Sequence, residues 1–357
     1  MSEYNVYIGT YTDENSKGIY LFTFNSTTGS FTSKGLVAET VSPSWVALHP
    51  SKKFLYAVNE VKDYEGKSSG AITSFAIDPS TGGLTELNQR PTHGANPCHV
   101  VVDAQGRYTL TANYTGGSVV VHPIQPGGSL GDHTSHHQHT DATHVVPDRQ
   151  EAPHAHSINL DFTNRFAVAL DLGCDKAIIY RYNATSGTLT PNDSYAFTPG
   201  AGPRHLAFHP KNPRVAYAIT ELHNEVVVLD VDSDTGSLTE AQRLGALPAE
   251  FKGETIAAEI QVHPSGRFVY GSLRGHDSIV IYSTHPDSGH LTYVAHVSSG
   301  GKTPRHFAID PTGKWFITAS KDSGYLSVFE IDQETGELKK TEGKVEVPNP
   351  VCVRFVA

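Results

Sequence analysis

Cysteine is scarce in this chain. Only Cys98, Cys174 and Cys352 occur among its 357 residues, and no two of them form a C-x-x-C pair. Three scattered cysteines exclude a disulfide framework and indicate reduced thiols. The N-terminal residues are acidic and lead into alternating β-type sequence. We therefore expect no signal peptide, no membrane-spanning segment and a cytoplasmic location.

Positive charge is also in deficit. The chain carries 27 Lys and Arg against 37 Asp and Glu, a formal net charge of −10. A nucleic-acid backbone would be repelled by this excess of negative charge, so we expect no nucleic-acid partner. A small anionic ligand must then be held by cations gathered in one place, which makes the positions of individual arginines and histidines informative.

Several catalytic motifs are missing. The sequence contains no Gly-x-Ser-x-Gly elbow, no His-Glu-x-x-His motif and no dinucleotide-binding glycine cluster. Serine-hydrolase, zinc-protease and nicotinamide chemistry therefore lack support. We expect a protein without a cofactor.

A glycine turn of the form Gly-x-Leu or Gly-x-Phe recurs through the chain. Successive copies are 46 to 59 residues apart, and the seven glycines are Gly29, Gly82, Gly128, Gly187, Gly236, Gly289 and Gly336. A period of roughly 50 residues is typical of propeller blades. Within each unit, β-branched and aromatic runs alternate with turn residues, which indicates antiparallel strands. The sequence predicts an all-β, seven-bladed β-propeller with four antiparallel strands per blade.

The ends of the chain should close the ring. The innermost strand of each blade opens with a shared pattern, and its seventh copy is the C-terminal segment 350–356. Strands near the N-terminus must then complete that blade, which removes the open sheet edges. We expect one domain over residues 1–357.

A polar segment at about 131–153 interrupts the repeat. Five histidines lie in it: His133, His136, His137, His139 and His144. We interpret the segment as a solvated insertion loop. A histidine-rich metal site is the alternative, although the spacing matches no closed zinc pattern and no cysteine lies nearby.

Ionisable residues recur where the inner strands begin. His99, His156, Arg204, His205, Glu259, Arg305 and His306 occupy such positions, and Asp171, Glu221 and Arg274 mark the ends of second strands. In an antiparallel blade the second strand ends beside the start of the first. The two sets should form one ring around a mouth of the central channel. His49, His209 and His263 are predicted to be turn residues on the opposite face.

Such a ring favours chemistry on a small anion. Arginine binds carboxylate or phosphate through two hydrogen bonds. A carboxylate such as Glu221 or Glu259, together with a neutral histidine, can activate water or move a proton near pH 7.

The chain resembles the seven-bladed β-propeller lactonases, a family that includes bacterial 6-phosphogluconolactonases and the fungal carboxy-cis,cis-muconate cyclase. The segments that carry the resemblance are Tyr7–Thr12, Arg149–Ser157, Asp171–Lys176, Gly200–His205, Ala257–Ile260, Arg274–Ile279 and Thr303–Phe307. They span nearly the whole chain. One departure is Leu273, where relatives typically place Asn before the arginine.

The resemblance implies hydrolysis of a small anionic lactone, 6-phosphogluconolactone to 6-phosphogluconate. The family's catalytic set falls on His156, Arg204, Glu221 and Arg274. The predicted substrate-binding residues are His99, His154, Asp171, His205, Glu259, Arg305 and His306. A lactone-forming cyclase and a non-catalytic binding propeller are the alternatives. We expect a monomer or weak homo-oligomer with no membrane partner.

Overall fold

A computed structural model describes residues 2–357. In this range the chain forms seven four-stranded sheets. The first eleven strands are β1 Glu3–Thr10, β2 Gly18–Asn25, β3 Ser30–Glu39, β4 Val46–Leu48, β5 Phe54–Asn59, β6 Ala71–Ile77, β7 Leu84–Pro91, β8 Pro97–Val102, β9 Tyr108–Asn113, β10 Ser118–Pro123 and β11 Ser135–Gln138. The next eight are β12 Ala155–Leu160, β13 Phe166–Asp171, β14 Lys176–Asn183, β15 Thr188–Ala196, β16 Pro203–Phe208, β17 Val215–Thr220, β18 Glu225–Val231 and β19 Leu238–Gly245. The last nine are β20 Ile256–Val262, β21 Phe268–Arg274, β22 Ser278–Thr284, β23 Leu291–Ser298, β24 Pro304–Ile309, β25 Trp315–Ser320, β26 Tyr325–Ile331, β27 Leu338–Glu346 and β28 Pro350–Phe355. A single 3₁₀ turn, Lys321–Ser323, follows β25.

Each sheet is one propeller blade of four antiparallel strands, as predicted. Six blades are continuous in sequence, and the seventh has the order β28, β1, β2, β3. In that blade Val6 pairs with Phe355 and Tyr7 with Arg354. The predicted closure by the two ends of the chain is therefore confirmed. The innermost strands β28, β4, β8, β12, β16, β20 and β24 surround the central channel.

The recurring glycines lie where one blade packs on the next. All seven have a positive φ between 66° and 87°. Gly289 illustrates the packing, because its carbonyl accepts a hydrogen bond from the hydroxyl of Tyr217 at 2.9 Å in the preceding blade. Only glycine adopts this backbone conformation at little cost while leaving room for an aromatic neighbour. The glycine repeat in the sequence therefore reflects the repeated contact between neighbouring blades.

Adding a methyl group at one of these turns should destabilise the ring. A Cβ on Gly236, whose φ is 78°, would lie 2.4 Å from Cδ1 of the buried Phe166. We expect Gly236→Ala to lower the free energy of unfolding by about 2 kcal/mol, since backbone strain and overpacking add. Gly245→Ala is the matched control, because nothing lies within 4 Å of its Cβ. Equal urea midpoints for the two variants would contradict this account.

The histidines on the opposite face are turn residues, as predicted. His49, His209 and His263 each place Nε2 against a glycine carbonyl of the following blade, at 2.8, 3.0 and 2.7 Å. They tie neighbouring blades together. No helix in the described chain is long and apolar enough to cross a membrane.

The prediction of a solvated loop at 131–153 is wrong in part. Residues 135–138 form β11, the outer strand of its blade, where His137 pairs with Val119 of β10. His139 is buried, with its Nδ1 2.6 Å from the Asp171 carboxylate. The alternative of a metal site gains no support, since residues 2–357 contain no group of three or more potential ligands able to hold a metal ion.

Candidate active site

β-Bulges at the starts of the inner strands build the site. In β16 the pairing passes from Pro203 opposite Thr220 to His205 opposite Ile219, which leaves Arg204 as an extra residue. The same irregularity occurs in β8, β12 and β24. A bulge re-aims side chains that would otherwise alternate between the faces of a sheet. Two consecutive side chains can therefore reach the channel from one strand, as Arg204 and His205 do.

Glu221 is the centre of a cluster that we call the upper layer, which comprises Glu221, Glu60, Arg149, Arg204, Arg274, Arg305, His156, Tyr11 and Tyr114. Glu221 follows β17 directly, and its Oε2 accepts a hydrogen bond from Arg204 Nε at 2.8 Å and forms an ion pair with Arg274 Nη2 at 2.8 Å. Its other oxygen accepts one from Arg149 Nη2. Nε2 of His156 lies 4.0 Å from Oε2. The structure thus brings the four predicted catalytic residues together.

The charges in this layer are strongly coupled. Burial alone would raise the pKa of Glu221, but Arg274 and Arg204 hold it well below the usual range. Burial, followed by repulsion from Arg305 and Arg274, lowers the pKa of Arg204 to about 9. Neighbouring arginines repel one another, and a bound anion would relieve that repulsion. The cluster therefore favours binding of an anion. Nε of Arg274 is buried and has no hydrogen-bond partner within residues 2–357.

Arg305 is the arginine most available to a ligand. Its guanidinium carbon lies 5.3 Å from the centre of the Tyr11 ring, and it forms no ion pair with the described residues. The hydroxyl of Tyr11 donates to the Glu60 carboxylate at 2.9 Å, which also accepts from Ser44 Oγ. Arg305 is half-buried, so part of this residue remains accessible to solvent.

Two histidines from β12 and the segment before it border the same layer. The pKa of His156 lies well below its ordinary value because of burial and the nearby Arg204, so its imidazole is neutral. The ring of His154 stacks on Tyr114 with centroids 4.6 Å apart, and its Nδ1 lies 3.0 Å from the Tyr114 carbonyl oxygen. His154 therefore forms part of the wall.

The remaining predicted histidines form a middle layer deeper in the channel. Nδ1 of His205 lies 2.9 Å from Glu259 Oε2, and its Nε2 lies 3.2 Å from Arg204 Nη1. His99 and His306 pack against Trp45, with ring centroids 4.4 and 5.0 Å away. His205 thus connects the upper layer to the middle one.

These buried imidazoles should make stability depend on pH. Burial first, and then Arg354 and Arg204, lower the pKa of His99 to about 3. Burial also lowers the pKa values of His156, His205 and His306. An unfolded histidine titrates near 6.5, so unfolding takes up protons below that pH and stability falls as the pH drops.

Replacing one histidine should remove one proton from this dependence. We expect His99→Phe to reduce the slope of unfolding free energy against pH by about 1.4 kcal/mol per unit between about pH 5.5 and 4. Urea unfolding at a series of pH values measures the slope. The solvent-exposed His290 offers the control His290→Phe, which should keep the wild-type slope. An unchanged slope in His99→Phe would show that this ring is already charged when folded.

Asp171 does not belong to the cluster, which corrects its predicted placement. Its carboxylate is fully buried and accepts from the backbone N–H groups of His154 and Cys174 at 2.8 and 3.0 Å, besides contacting His139. The strand register explains the difference, because Asp171 ends β13 as Thr220 ends β17. Glu221 comes one residue later. A shift of one residue turns a side chain to the other face.

Leu273, where the sequence departs from the family pattern, also faces away from the site. It is fully buried in the apolar cluster around Tyr217 and Ile219, between two blades. The departure therefore alters packing between blades and leaves the arginine layer beside it intact.

Sequence reasoning missed three residues of the upper layer. Arg149 reaches Glu221 from the irregular segment before β12, while Tyr114 accepts a hydrogen bond from Arg149 at 3.3 Å. Tyr11 packs under Arg305. Arg149 and Tyr11 lie within segments that carry the family resemblance, which was the available signal. None of the three has a counterpart of the same type in every blade.

The fold and this layer define a class of protein: a propeller with an arginine cluster where its inner strands begin. The family model described as "Lactonase, 7-bladed beta-propeller" matches residues 5–355. The 6-phosphogluconolactonase of Bacillus subtilis is 40% identical over 356 residues, covering 100% of this chain and 99% of the relative. The structure titled Pseudomonas aeruginosa periplasmic gluconolactonase, PpgL, superposes with a TM-score of 0.93 at 35% identity, covering 100% of this chain and 99% of that one.

A putative 6-phosphogluconolactonase from Bacteroides uniformis is also similar, with a TM-score of 0.92, 35% identity and full coverage of both chains. The chain belongs to the seven-bladed β-propeller lactonase family. Since a lactone is a cyclic ester, this places it among the carboxylic ester hydrolases.

Proposed function

We propose that the protein hydrolyses 6-phosphogluconolactone to 6-phosphogluconate. The observation that carries the proposal is the surplus of positive charge in the upper layer. Four arginines, Arg149, Arg204, Arg274 and Arg305, face two carboxylates, those of Glu221 and Glu60. A net charge of about +2 in a chain of formal charge −10 suits a phosphate dianion.

Arg305 is the residue proposed to bind the phosphate group of the substrate. It is the one arginine of this layer that no carboxylate engages among the described residues, and its guanidinium is held in place by Tyr11. A planar guanidinium can bind two phosphate oxygens at once. The half-exposed Arg149 could supply a second contact by exchanging Glu221 for the ligand.

The reacting carbonyl is assigned to Arg274 and Arg204. Negative charge develops on the carbonyl oxygen when water attacks, and donors fixed beforehand stabilise it without reorganising. Arg274 retains a buried Nε–H without a partner. Glu221 holds both arginines in place, and this is its proposed role.

His156 is the proposed base. Glu221 is a poor proton acceptor, because three arginines occupy its oxygens, whereas Nε2 of His156 makes no hydrogen bond with the described residues. His156 is neutral, and Glu221 lies 4.0 Å from its Nε2, near enough to stabilise an imidazolium. His156 takes a proton from water as the oxygen attacks the carbonyl carbon. The ring C–O bond then breaks, and the leaving ring oxygen receives that proton.

A comparison of substrates tests the proposal. Purified protein would be assayed with 6-phosphogluconolactone, unphosphorylated glucono-1,5-lactone and carboxymuconate, each with and without chelator. We expect the highest kcat/KM with the phosphorylated lactone and no loss on chelation. Faster cyclisation of carboxymuconate would favour the cyclase alternative, and turnover of no compound would favour a binding propeller.

Arg305→Met should separate binding of the phosphate from chemistry. We expect KM for 6-phosphogluconolactone to rise about 10- to 100-fold, since a charge-assisted hydrogen bond contributes roughly 1.5–3 kcal/mol. KM for glucono-1,5-lactone should change less than threefold, because that substrate has no phosphate. Steady-state kinetics on both substrates measure the two effects. An equal rise for both would assign Arg305 to the reacting carbonyl instead.

We propose a cytoplasmic enzyme that needs no cofactor and acts as a monomer or weak homo-oligomer. The three cysteines are free and buried, which fits a reducing compartment. One structural neighbour is titled periplasmic, so fractionation of the source cells tests the location.

A further inference from the structure

A cavity lies along the inner strands, next to the middle layer and on the side away from the upper layer. Its volume is about 310 Å³. The middle-layer residues that border it are Trp45, His99 and Glu259. It is also lined by Asn159, Gln261 and Arg354, each of which lies two residues beyond the middle-layer position of its own inner strand. His205 lines it and contacts Arg204 of the upper layer. We call this cavity the lower chamber.

Two ring N–H groups border the chamber, those of Trp45 and His99. Nε1 of Trp45 is buried and has no partner among residues 2–357, although 92% of this residue's surface is covered. Nδ1 of His99 accepts the Ile158 N–H at 3.4 Å, which leaves the hydrogen on Nε2. A buried donor without a partner, such as Nε1 of Trp45, calls for a ligand or ordered water.

Arg354 adds a cation without a counter-charge. Its Nε donates to the Val46 carbonyl at 3.1 Å, and its guanidinium lies 5.3 Å from the Trp45 ring centre. It makes no ion pair with any described residue, unlike Arg204 and Arg274 above it. Two of its nitrogens therefore remain available at the edge of the chamber.

Glu259 is the only carboxylate lining the chamber in the described chain. Burial is the largest cause that raises its pKa, to about 8, so the neutral acid prevails at pH 7. The groups facing it are His205, His306, Arg204 and Arg354. Both histidines are neutral, so the lower chamber carries the positive charge of Arg354.

We propose that the lower chamber binds a small oxyanion, of phosphate or carboxylate type, through Arg354, the indole N–H of Trp45 and Nε2 of His99. The site is distinct from the arginine layer that takes the lactone. Its occupancy does not depend on the proposed lactonase reaction. Binding should weaken as the pH rises through 8, because an ionised Glu259 would repel the anion.

Soaking crystals in selenate tests the site directly, since this tetrahedral oxyanion gives an anomalous signal. In the wild-type protein we expect one peak in the lower chamber in addition to any in the upper layer. In Arg354→Gln the lower peak should vanish while an upper peak remains. No lower peak in the wild type, or an equal peak in Arg354→Gln, would overturn the proposal.

Two further measurements keep the test decisive if Arg354→Gln fails to fold. Trp45→Phe removes the indole N–H and should weaken phosphate binding at the lower chamber about tenfold by calorimetry. Phosphate and acetate, added separately, should displace selenate, and the more effective one identifies the type of oxyanion. Displacement by neither would count against the site.

Kinetics separate this proposal from the lactonase assignment. Arg354 takes no part in the proposed hydrolysis, so Arg354→Gln should turn over lactone within about twofold of the wild type in phosphate-free buffer. Loss of the lower selenate peak with normal turnover supports the lower chamber alone. Loss of turnover in the same variant would show that Arg354 acts in the upper site and contradict a separate chamber.

Discussion

Arg274→Met should lower kcat/KM for 6-phosphogluconolactone about 1,000-fold, which corresponds to about 4 kcal/mol of lost transition-state stabilisation. The variant removes the guanidinium that contacts Glu221 Oε2 at 2.8 Å and carries the unpartnered Nε. Methionine keeps an unbranched stem of similar length. Most of the loss should appear in kcat, because the developing oxyanion is stabilised only in the transition state.

The matched control lies at the other end of the same strand. Arg267 immediately precedes β21, which ends at Arg274, and its side chain covers Phe268 on the opposite face. Arg267→Met should retain wild-type kinetics. Thermal unfolding and circular dichroism of both variants show whether the fold is intact. A folded Arg274→Met enzyme with activity within tenfold of the wild type would remove Arg274 from the chemistry.

The architecture could be predicted because the same turn occurs in every blade and requires the same residue, glycine, each time. Each of the seven glycines has a positive φ and packs against the neighbouring blade, most of them against an aromatic ring, so seven glycines predict seven blades. The closing strand was equally visible, since 350–356 repeats the pattern of an inner strand without the strands that should follow it. Local chemistry determined both features.

The site was only partly predictable, because its geometry depends on strand register. Arg204 and His205 reach the channel together only through a bulge, which appears once the pairing with β17 is known. Asp171 was assigned to the ring because its blade was aligned one residue out of step with that of Glu221. A sequence read without pairing partners cannot resolve that offset.

Residues outside the repeat were the hardest to place. Arg149 reaches the Glu221 carboxylate from an irregular segment whose course depends on tertiary contacts, among them the bond between His139 and Asp171. The polar composition of 131–153 suggested a solvated loop, yet 135–138 serves as an outer strand with one face toward solvent. Polarity reports exposure, and an outer strand can be exposed as well as a loop.

The division of labour between His156 and Glu221 follows from their electrostatics, and it leads to the second large effect. His156→Asn should lower kcat about 1,000-fold, within the range of 10²- to 10⁴-fold that general base catalysis contributes. The amide keeps polarity and approximate size but cannot accept a proton at neutral pH. KM should stay within threefold, because the arginines that bind the anion are untouched.

His209→Asn provides the control, since that buried histidine bonds a backbone carbonyl and lies on the opposite face of the propeller. It should leave kcat unchanged even if it lowers the melting temperature. Glu221→Gln helps to separate the roles further. If Glu221 were the base, His156→Asn would retain most of the wild-type kcat. Glu221→Gln would then lose most of its kcat, because no group would accept the proton from water, while its KM would stay unchanged. If Glu221 positions the arginines, Glu221→Gln should also alter KM, because Arg204 and Arg274 lose the charge that fixes them.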